Sequence, residues 1–400
     1  MKTLFVSLTD YQLINYINIK KHIMADKKAD IIIVNNKSGN DALVDRLKQL
    51  QIFDNVYLYT ESLPGLHQYF RSVSDNSDRI SFTQSIANDL KNLIHNIKGK
   101  CSDKIYTINC RLRYGESIDF LQYDHVVGID TKAIVKDCRE IVLKLTKGKC
   151  TISSVDEGVA SYLNEFMVNK SHVNNVYLYE PKMALYYEKF SEKIIQIPKI
   201  NKNDKGFIEL LNKTFAFDPN DIVDLNNKVI FFDQNWDPMP KYLRNMTWWK
   251  RIVFNNPYKK HLKESVFYDI KMEIFKTISA VVGDRLLVKL HPRSDVSFVE
   301  DYKSHKCEIL PKTTTPWELF ACNCLIKNNK WVTLSSSAVC SYYFTIENDK
   351  SDNNFMIICG RLLGGSMDQE AKAFFERVAS LLPQLVCVPK SIDELQNKII

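Results

Sequence analysis

Residues 287–293 read Leu-Val-Lys-Leu-His-Pro-Arg, and this stretch indicates how the second half of the chain folds. The apolar, β-compatible residues predict a strand. Pro292 prevents that strand from pairing further, so we expect His291 at the strand's carboxyl end. Open α/β sheets bind ligands at the carboxyl ends of their strands. His291 is therefore a candidate binding residue, although a histidine before a proline also ends many strands without any functional role.

The composition is that of an ordinary globular protein with two domains. The chain has 400 residues, which is more than one compact core usually holds. Its hydrophobic fraction is 45%, and no stretch is long enough and free enough of charge to predict a membrane span. Residues 1–17 predict a first strand and not a signal peptide, because Asp10 interrupts the apolar run. Ten scattered cysteines without the spacing of zinc sites favour a reducing compartment.

The formal net charge of +7 suits an anionic substrate or an anionic surface. Much of the excess lies in Lys241–Lys263, where seven lysines and arginines alternate with five aromatic residues and no acidic residue occurs. Three uses stay open for this segment: binding a polyanionic glycan, contact with an anionic membrane surface, or a solvated amphipathic face. Nucleic-acid binding is disfavoured, because the basic excess is local and no recognised motif accompanies it.

Strands and helices alternate along the chain, which predicts an α/β protein with parallel sheets. The first half has predicted strands at residues 4–8, 31–34, 56–59, 105–108, 126–129, 150–154 and 176–179. The second half has them at residues 229–233, 286–290, 307–310, 324–327, 331–334 and 355–359. Polar, proline-broken residues separate the halves. We therefore expect an N-terminal Rossmann-like domain over residues 1–195, a linker over 196–228 and a C-terminal Rossmann-like domain over 229–400.

Two motifs place carboxylates where a strand gives way to a helix. In Asp156-Glu157-Gly158 a carboxylate could act as a general base, and Gly158 permits the sharp turn that would hold it. The alternative is an acidic pair that only complements the amino end of a helix. Glu318, in Pro316-Trp317-Glu318, could accept hydrogen bonds from two ribose hydroxyls. It too could be a plain acid in the first turn of a helix.

Two further motifs suit a phosphate. The imidazole of His291 can donate a hydrogen bond to a phosphate oxygen. Ser335, Ser336 and Ser337 end a predicted strand and begin a helix, so their hydroxyls and the backbone N–H groups there could form a phosphate cradle. Their alternative role is that of ordinary helix caps.

In their order along the chain, these motifs resemble the signature of bacterial sialyltransferases, including the α-2,8-polysialyltransferase-like family of capsule and lipooligosaccharide synthesis. The pattern is an acidic pair with glycine, here Asp156-Glu157-Gly158, then His291-Pro292, then Ser335-Ser336. Glu318 matches the position of a ribose-binding glutamate in related sialyltransferases. Residues 4–13 and residues 179–181, Tyr-Glu-Pro, are also similar to this group.

The resemblance implies a GT-B fold, in which two Rossmann-like β/α/β domains face a central cleft. It implies an inverting sialyltransferase that uses CMP-sialic acid as donor, a glycan as acceptor, and no metal or other cofactor. Glu157 or Asp156 would be the base, and His291 would protonate or stabilise the departing phosphate. The residues implied to hold CMP are Pro292, Glu318, Ser335, Ser336 and Ser337.

Related enzymes differ in the origin of the base, so an alternative stays open. Some take it from the loop after the first strand of the C-terminal domain, which here points to Asp233 or Asp237. The same loop, Asp233, Gln234, Asn235 and Asp237, could alternatively contact the acceptor. The resemblance also implies a bacterial cytoplasmic location, with the inner face of the membrane as one possible contact for Lys241–Lys263. The acceptor, the linkage, the number of sugars added and the oligomeric state stay open.

Two other functions fit the same motifs. A different GT-B glycosyl- or alditol-phosphate transferase with a cytidine nucleotide donor would also combine a His-Pro element with hydroxyls. A non-catalytic glycan- or nucleotide-binding protein would bind CMP without transferring or hydrolysing a sugar.

Overall fold

The computed structural model describes residues 2–35, 39–60, 101–129, 133–163, 173–218, 220, 222, 224–234, 236, 255–291, 299–310, 315–336, 338–347, 352–366 and 369–400. These residues form two parallel β-sheets whose strands alternate with helices, as the sequence predicts. None of the helices described is long and apolar enough to cross a membrane.

The first sheet has seven strands within the described residues. They are β1 (Lys2–Ser7), β2 (Lys28–Asn35), β3 (Asn55–Thr60), β4 (His125–Val127), β5 (Thr151–Val155), β6 (Asn175–Leu178) and β7 (Ile194–Gln196). The strand order is β3-β2-β1-β4-β5-β6-β7, and the neighbours pair in parallel. The helices of this half are α1 (Asp10–His22), α2 (Asn40–Leu50), α3 (Cys101–Cys110), α4 (Ala133–Leu145), α5 (Ala160–Leu163) and α6 (Tyr187–Phe190).

The second sheet has six strands in the part of the chain that the structure describes. They are β8 (Val229–Phe232), β9 (Leu286–Lys289), β10 (Glu308–Ile309), β11 (Lys330–Thr333), β12 (Phe355–Ile358) and β13 (Val386–Cys387), in the order β10-β9-β8-β11-β12-β13. The helices are α7 (Lys205–Phe215), α8 (Asn255–Val282), α9 (Val299–Lys303), α10 (Trp317–Asn323), α11 (Ala338–Thr345), α12 (Gln369–Leu381) and α13 (Ile392–Ile399). The strand order of each sheet reverses once, between β1 and β4 and between β8 and β11.

Helix α1 packs deep in the protein and carries polar groups into it. Thr9 caps the helix by accepting a hydrogen bond from the Gln12 backbone N–H at 3.2 Å. Every residue from Gln12 to Ile19 is buried. The buried amides find partners: Asn15 Nδ2 donates to the Asp156 carbonyl at 2.8 Å, and Asn18 Nδ2 donates to the Pro198 carbonyl at 2.7 Å. This helix therefore fixes the loop that carries the acidic pair.

The second half contacts both the first half and the linking segment that contains Ile200. Ile200 and Ile346 form an isolated parallel bridge, and the Ile200 N–H donates to the Thr345 carbonyl at 2.7 Å. Tyr162 of the first half packs its ring 5.2 Å from that of Phe344 and 5.7 Å from that of Phe374. Residues near the acidic pair thus contact helices of the second half.

Two predicted strands are wrong. Residues 105–108 lie in helix α3, where Ile105 and Ile108 are three residues apart and so share a helix face; Ile108 is buried and Tyr106 is exposed. Residues 324–327 form no strand. Their backbone groups bond to asparagine side chains: the Lys327 N–H donates to Asn226 at 3.0 Å and the Ile326 carbonyl accepts from Asn354 at 3.1 Å.

Candidate active site

The carboxyl ends of three neighbouring strands in the second sheet bring Gln234, His291 and Ser335 to one edge. Phe232 of β8 is in register with Lys289 of β9 on one side and with Thr333 of β11 on the other. Gln234, His291 and Ser335 each lie two positions after one of these three paired residues. Ser335 Oγ lies 3.4 Å from Gln234 Oε1. Because strand order reverses between β8 and β11, this edge is where a ligand is expected in such a sheet.

Asp233, directly after β8, is held by a cation. Its Oδ1 accepts hydrogen bonds from Lys271 Nζ at 2.9 Å and from the Tyr302 hydroxyl at 2.6 Å. The Asp233 and Lys271 side chains are 1% and 2% exposed. Lys271 also donates to the Gln234 carbonyl at 3.0 Å, so the ion pair fixes the loop that carries Gln234. This pairing suits an anchoring role better than proton abstraction, and Asn235 and Asp237 lie outside the described residues.

The serine motif makes the turn between β11 and α11. The Ser336 N–H donates to Thr333 Oγ1 at 2.8 Å, and Ser336 Oγ accepts from the Ala338 N–H at 3.3 Å. Ser336 thus shapes the turn that leads into α11. This turn leaves the amino end of α11 beside Ser335, where a phosphate could bind. Ser337 and Pro292 lie outside the described residues.

Glu318 is a buried acid in the first turn of α10. Burial raises the pKa of its carboxyl group, while a hydrogen bond with Ser341 and the charge of Lys289 lower it. Lys289 ends β9, two residues before His291, and burial lowers the pKa of its ammonium group. The Lys289 ammonium also lies 5.9 Å from the centre of the Trp317 ring. A carboxylate and a lysine therefore lie close together beside the strand end that leads to His291.

Asp156 and Glu157 follow β5 and differ in their surroundings. Asp156 is fully buried; its Oδ1 accepts from the Gly158 N–H at 2.7 Å and from the Tyr11 hydroxyl at 3.2 Å, and its Oδ2 accepts from the Tyr162 hydroxyl. Gly158 has a φ of 97°, a backbone angle that favours glycine and permits this turn. Burial raises the pKa of Asp156 to about 6, although these hydrogen bonds oppose the rise.

Glu157 is the more accessible of the two carboxylates. Its backbone N–H donates to Ser161 Oγ at 2.8 Å, while its side chain is only partly buried. Burial raises the pKa of Glu157, the charge of Asp156 raises it further, and a hydrogen bond with Gln12 lowers it. A carboxylate with a raised pKa and access to solvent is suited to accept a proton near neutral pH. Asp156, surrounded by protein donors, is suited to orient and tune its neighbour.

Tyr11 links the acidic pair to the second half of the chain. Its hydroxyl lies 3.2 Å from Asp156 Oδ1 and 3.2 Å from Thr345 Oγ1 of α11. Glu318 is close enough to contribute to the raised pKa of Tyr11. The structure therefore brings Asp156 and Glu318, which are predicted site residues from the two halves, to the same interface.

No family model matches this chain, and no curated protein matches it. Solved structures do match. An α/β-galactoside α-2,3-sialyltransferase from the luminous marine bacterium Photobacterium phosphoreum is 12% identical, with a TM-score of 0.52 over 98% of this chain and 99% of that chain. The fold is GT-B. At this identity the likeness establishes the fold and leaves the reaction to the chemistry of the site.

Other GT-B structures match at lower similarity. MurG from Acinetobacter baumannii is 8% identical, with a TM-score of 0.43 over 99% of this chain and 89% of that chain. Anabaena HepE, solved in complex with UDP and glucose, is 9% identical, with a TM-score of 0.38 over 100% of this chain and 98% of that chain.

Sequence reasoning missed several residues of this GT-B site. Tyr11, Tyr162, Lys271 and Lys289 all contact or influence the predicted carboxylates, yet none had a predicted role. Lys289 was recognisable as a cation two positions before His291. Residues 241–254 of the basic aromatic segment lie outside the described residues, and the rest of the segment begins α8. Nearby on α8, Leu262 and Val266 are exposed.

Proposed function

We propose that the protein is an inverting sialyltransferase that transfers sialic acid from CMP-sialic acid to a hydroxyl group of a glycan acceptor. The observation that supports the proposal is that Tyr11, at the interface of a GT-B fold, bonds to Asp156 of the first half and is influenced by the charge of Glu318 of the second. The order of the His-Pro and serine motifs supports a CMP donor. The place in capsule or lipooligosaccharide synthesis, and peripheral contact with the inner membrane, rest on the motif resemblance.

In the proposed reaction, Glu157 accepts the proton of the acceptor hydroxyl as its oxygen attacks the anomeric carbon of sialic acid. A new carbon–oxygen bond forms on one face, and the bond from the anomeric carbon to the CMP phosphate oxygen breaks on the opposite face. His291 donates a hydrogen bond or proton to that phosphate oxygen. Positioned proton transfer of this kind contributes ~100-fold to ~10,000-fold in rate.

The residues proposed to bind the CMP donor suit its charge and its ribose. CMP carries one phosphate, whose charge can be met by His291, by Ser335 and by the amino end of α11. In the proposed complex, ionised Glu318 accepts hydrogen bonds from the ribose hydroxyls. Ser336 contributes by shaping the turn.

The direct test is to incubate the protein with CMP-sialic acid and a panel of lactosides and oligosialic acids, and to measure CMP release and product mass. We expect CMP release that depends on an acceptor. Glu157→Gln and His291→Ala should each lower turnover by ~100-fold or more. Glu376→Gln, on the exposed face of α12, is the matched control and should keep the parent rate.

The rival functions predict different results. An alditol-phosphate or other cytidine-nucleotide transferase would be inactive with CMP-sialic acid and active with another cytidine donor. A binding protein would bind CMP but would neither hydrolyse nor transfer a sugar from any CMP donor. In that case Glu157→Gln would leave the binding of CMP unchanged. Near-parent turnover in His291→Ala would contradict the role given to the histidine.

A further inference from the structure

The hydroxyl of Tyr11 joins the two halves of the chain at the acidic pair. Tyr11 lies in the first turn of α1, and its oxygen is 3.2 Å from both Asp156 Oδ1 and Thr345 Oγ1. Thr345 is the last residue of α11 in the second half, and both Asp156 and Thr345 are fully buried. A single side chain therefore connects a carboxylate of the first half with a hydroxyl of the second.

The chemistry of Thr345, Tyr11 and Asp156 determines which group donates each hydrogen bond. Burial raises the pKa of Tyr11 well above its usual value, and the charge of Asp156 raises it further, so the phenol keeps its proton. An ionised carboxylate is a stronger acceptor than a hydroxyl, so the Tyr11 proton points to Asp156 and Thr345 donates to the phenol oxygen. A hydroxyl that accepts one hydrogen bond is a better donor in the next, because such chains polarise one another. Thr345 thereby strengthens the bond that stabilises ionised Asp156.

The other groups around Asp156 come from the first half. Tyr162 and the Gly158 N–H donate to its carboxylate. Burial raises the pKa values of Tyr179 and Tyr186, and the charge of Asp156 raises them further. The carboxylates facing the cluster are Glu157 beside Asp156 and Glu318 across the interface, near Tyr11. Among the hydrogen bonds described for the Asp156 carboxylate, the Tyr11 bond is the one that continues to the second half.

We propose that Tyr11 is a positioning residue that couples the contact between the two halves to the ionisation of Asp156, and through Asp156 to the proton affinity of Glu157. When α11 is docked, Thr345 and Tyr11 favour the ionised form of Asp156. When α11 moves away, Asp156 binds a proton more readily. The coupling is reciprocal, so ionisation of Asp156 favours the docked arrangement by the same factor.

The test is a titration of the Asp156 carboxyl group by NMR of protein labelled with ¹³C at the aspartate carboxyl carbon, with Asp156→Asn used to assign the signal. Tyr11→Phe should raise the Asp156 pKa by about one pH unit, the scale of one lost hydrogen bond to a carboxylate. Thr345→Val keeps the shape of the side chain and should raise the pKa in the same direction by a smaller amount. Tyr187→Phe, on α6, is the matched control and should leave the titration unchanged.

Two results would overturn the inference. One is a titration that is the same in Tyr11→Phe, Thr345→Val and the parent protein. The other is a shift in Tyr11→Phe alone, which would make Tyr11 a local donor without coupling to the second half. Thermal unfolding of each variant checks that the titrated protein is folded.

The link to Glu157 rests on the proposed function and has its own readout. A protonated Asp156 no longer raises the pKa of Glu157, so the acidic limb of the kcat/KM profile should move to lower pH in both variants. A limb that stays in place contradicts this step. The NMR titration needs no donor or acceptor, so a shift in a protein without transferase activity would retain the coupling and reject the proposed function. Transferase activity without a shift in the Asp156 titration would retain the proposed function and reject the coupling.

Discussion

Two buried aspartates each directly follow a strand of a parallel sheet, and they are stabilised in different ways. Asp156 follows β5 in the first sheet, and Asp233 follows β8 in the second. Asp233 pairs with the Lys271 ammonium at 2.9 Å. Asp156 is surrounded by neutral donors, namely the Tyr11 and Tyr162 hydroxyls and the Gly158 N–H. A cation offsets the burial of the Asp233 charge, while among the described residues hydrogen bonds from neutral groups offset the burial of the Asp156 charge.

The difference separates an anchor from a group suited to proton chemistry. A buried ion pair with a second donor holds its loop in one arrangement, and here it holds Gln234 beside Ser335. A buried carboxylate without a cation keeps a high pKa, about 6 for Asp156. Raised carboxyl pKa values of this kind are common in active sites. The same residue type therefore has different chemistry at the carboxyl ends of two different strands.

The largest expected effect comes from breaking the ion pair. Asp233→Asn keeps the size of the side chain but leaves the Lys271 ammonium buried without its carboxylate. Removing one partner of a buried pair typically costs ~3 to 5 kcal/mol, so urea unfolding at pH 7 should show a loss of that size. The double variant Asp233→Asn with Lys271→Met removes both charges and should recover most of the loss. A double variant no more stable than Asp233→Asn would show that the pair is not an anchor.

The corresponding change at Asp156 should have the opposite sign. The pKa of Asp156 is raised from 3.8 to about 6 in the folded protein, so the folded protein binds this proton more tightly than the unfolded chain does. Stability is therefore lost as pH rises from 3.8 through about 6, and the ionised group costs about 3 kcal/mol at pH 7. Asp156→Asn should stabilise the protein by up to this amount at pH 7.

The pH dependence distinguishes this origin from a general packing effect. The gain from Asp156→Asn should shrink as pH falls and vanish below about pH 3, where the parent carboxyl is protonated in both the folded and the unfolded state. A gain that is constant from pH 4 to pH 7 would mean that the charge of Asp156 is not its source. A loss at pH 7 would contradict the contrast with Asp233.

The sequence predicts the strand ends of this site well and their partners poorly. Short apolar runs that stop at polar residues, glycine or proline predict β5, β8, β9 and β11, and so place Asp156, Asp233, His291 and Ser335 after strands. The partners are set by contacts between distant parts of the chain. Tyr11 and Asp156 are 145 residues apart, and Lys271 and Asp233 are 38 residues apart. Neither periodicity nor local motif specifies such pairs.

Burial also separates residues that the sequence leaves equivalent. The sequence left Asp156 and Glu157 open as bases, because adjacent carboxylates share the same local signal. The difference is that the Asp156 side chain turns into the protein while Glu157 keeps access to solvent. Likewise, residues 105–108 carry β-compatible side chains, yet they lie in a helix that buries Ile108.

The smallest expected effect concerns His125, a third buried ionisable group, which lies in the sheet of Asp156. His125 is buried in β4, where its ring nitrogens lie 3.3 Å from Thr3 Oγ1 and 2.9 Å from Ser153 Oγ. Burial lowers the pKa of His125 from 6.5 to about 4, and the charge of Lys27 contributes. The folded protein therefore resists protonation, and stability falls as pH drops below 6.5. Between pH 6.5 and about pH 5 the loss should be about 1.5 kcal/mol.

Asp156 conceals this loss in the parent protein, because its own contribution changes in the opposite direction over the same pH range. The Asp156→Asn background removes that contribution, so urea unfolding there should show the His125 slope. In the same background, His125→Gln should unfold with a flatter pH profile, since an amide can still bond to Ser153 and does not titrate. Common contributions from other groups cancel in the difference between the two profiles. Parallel profiles would show that His125 is protonated equally in the folded and unfolded states, and would contradict the lowered pKa of its buried ring.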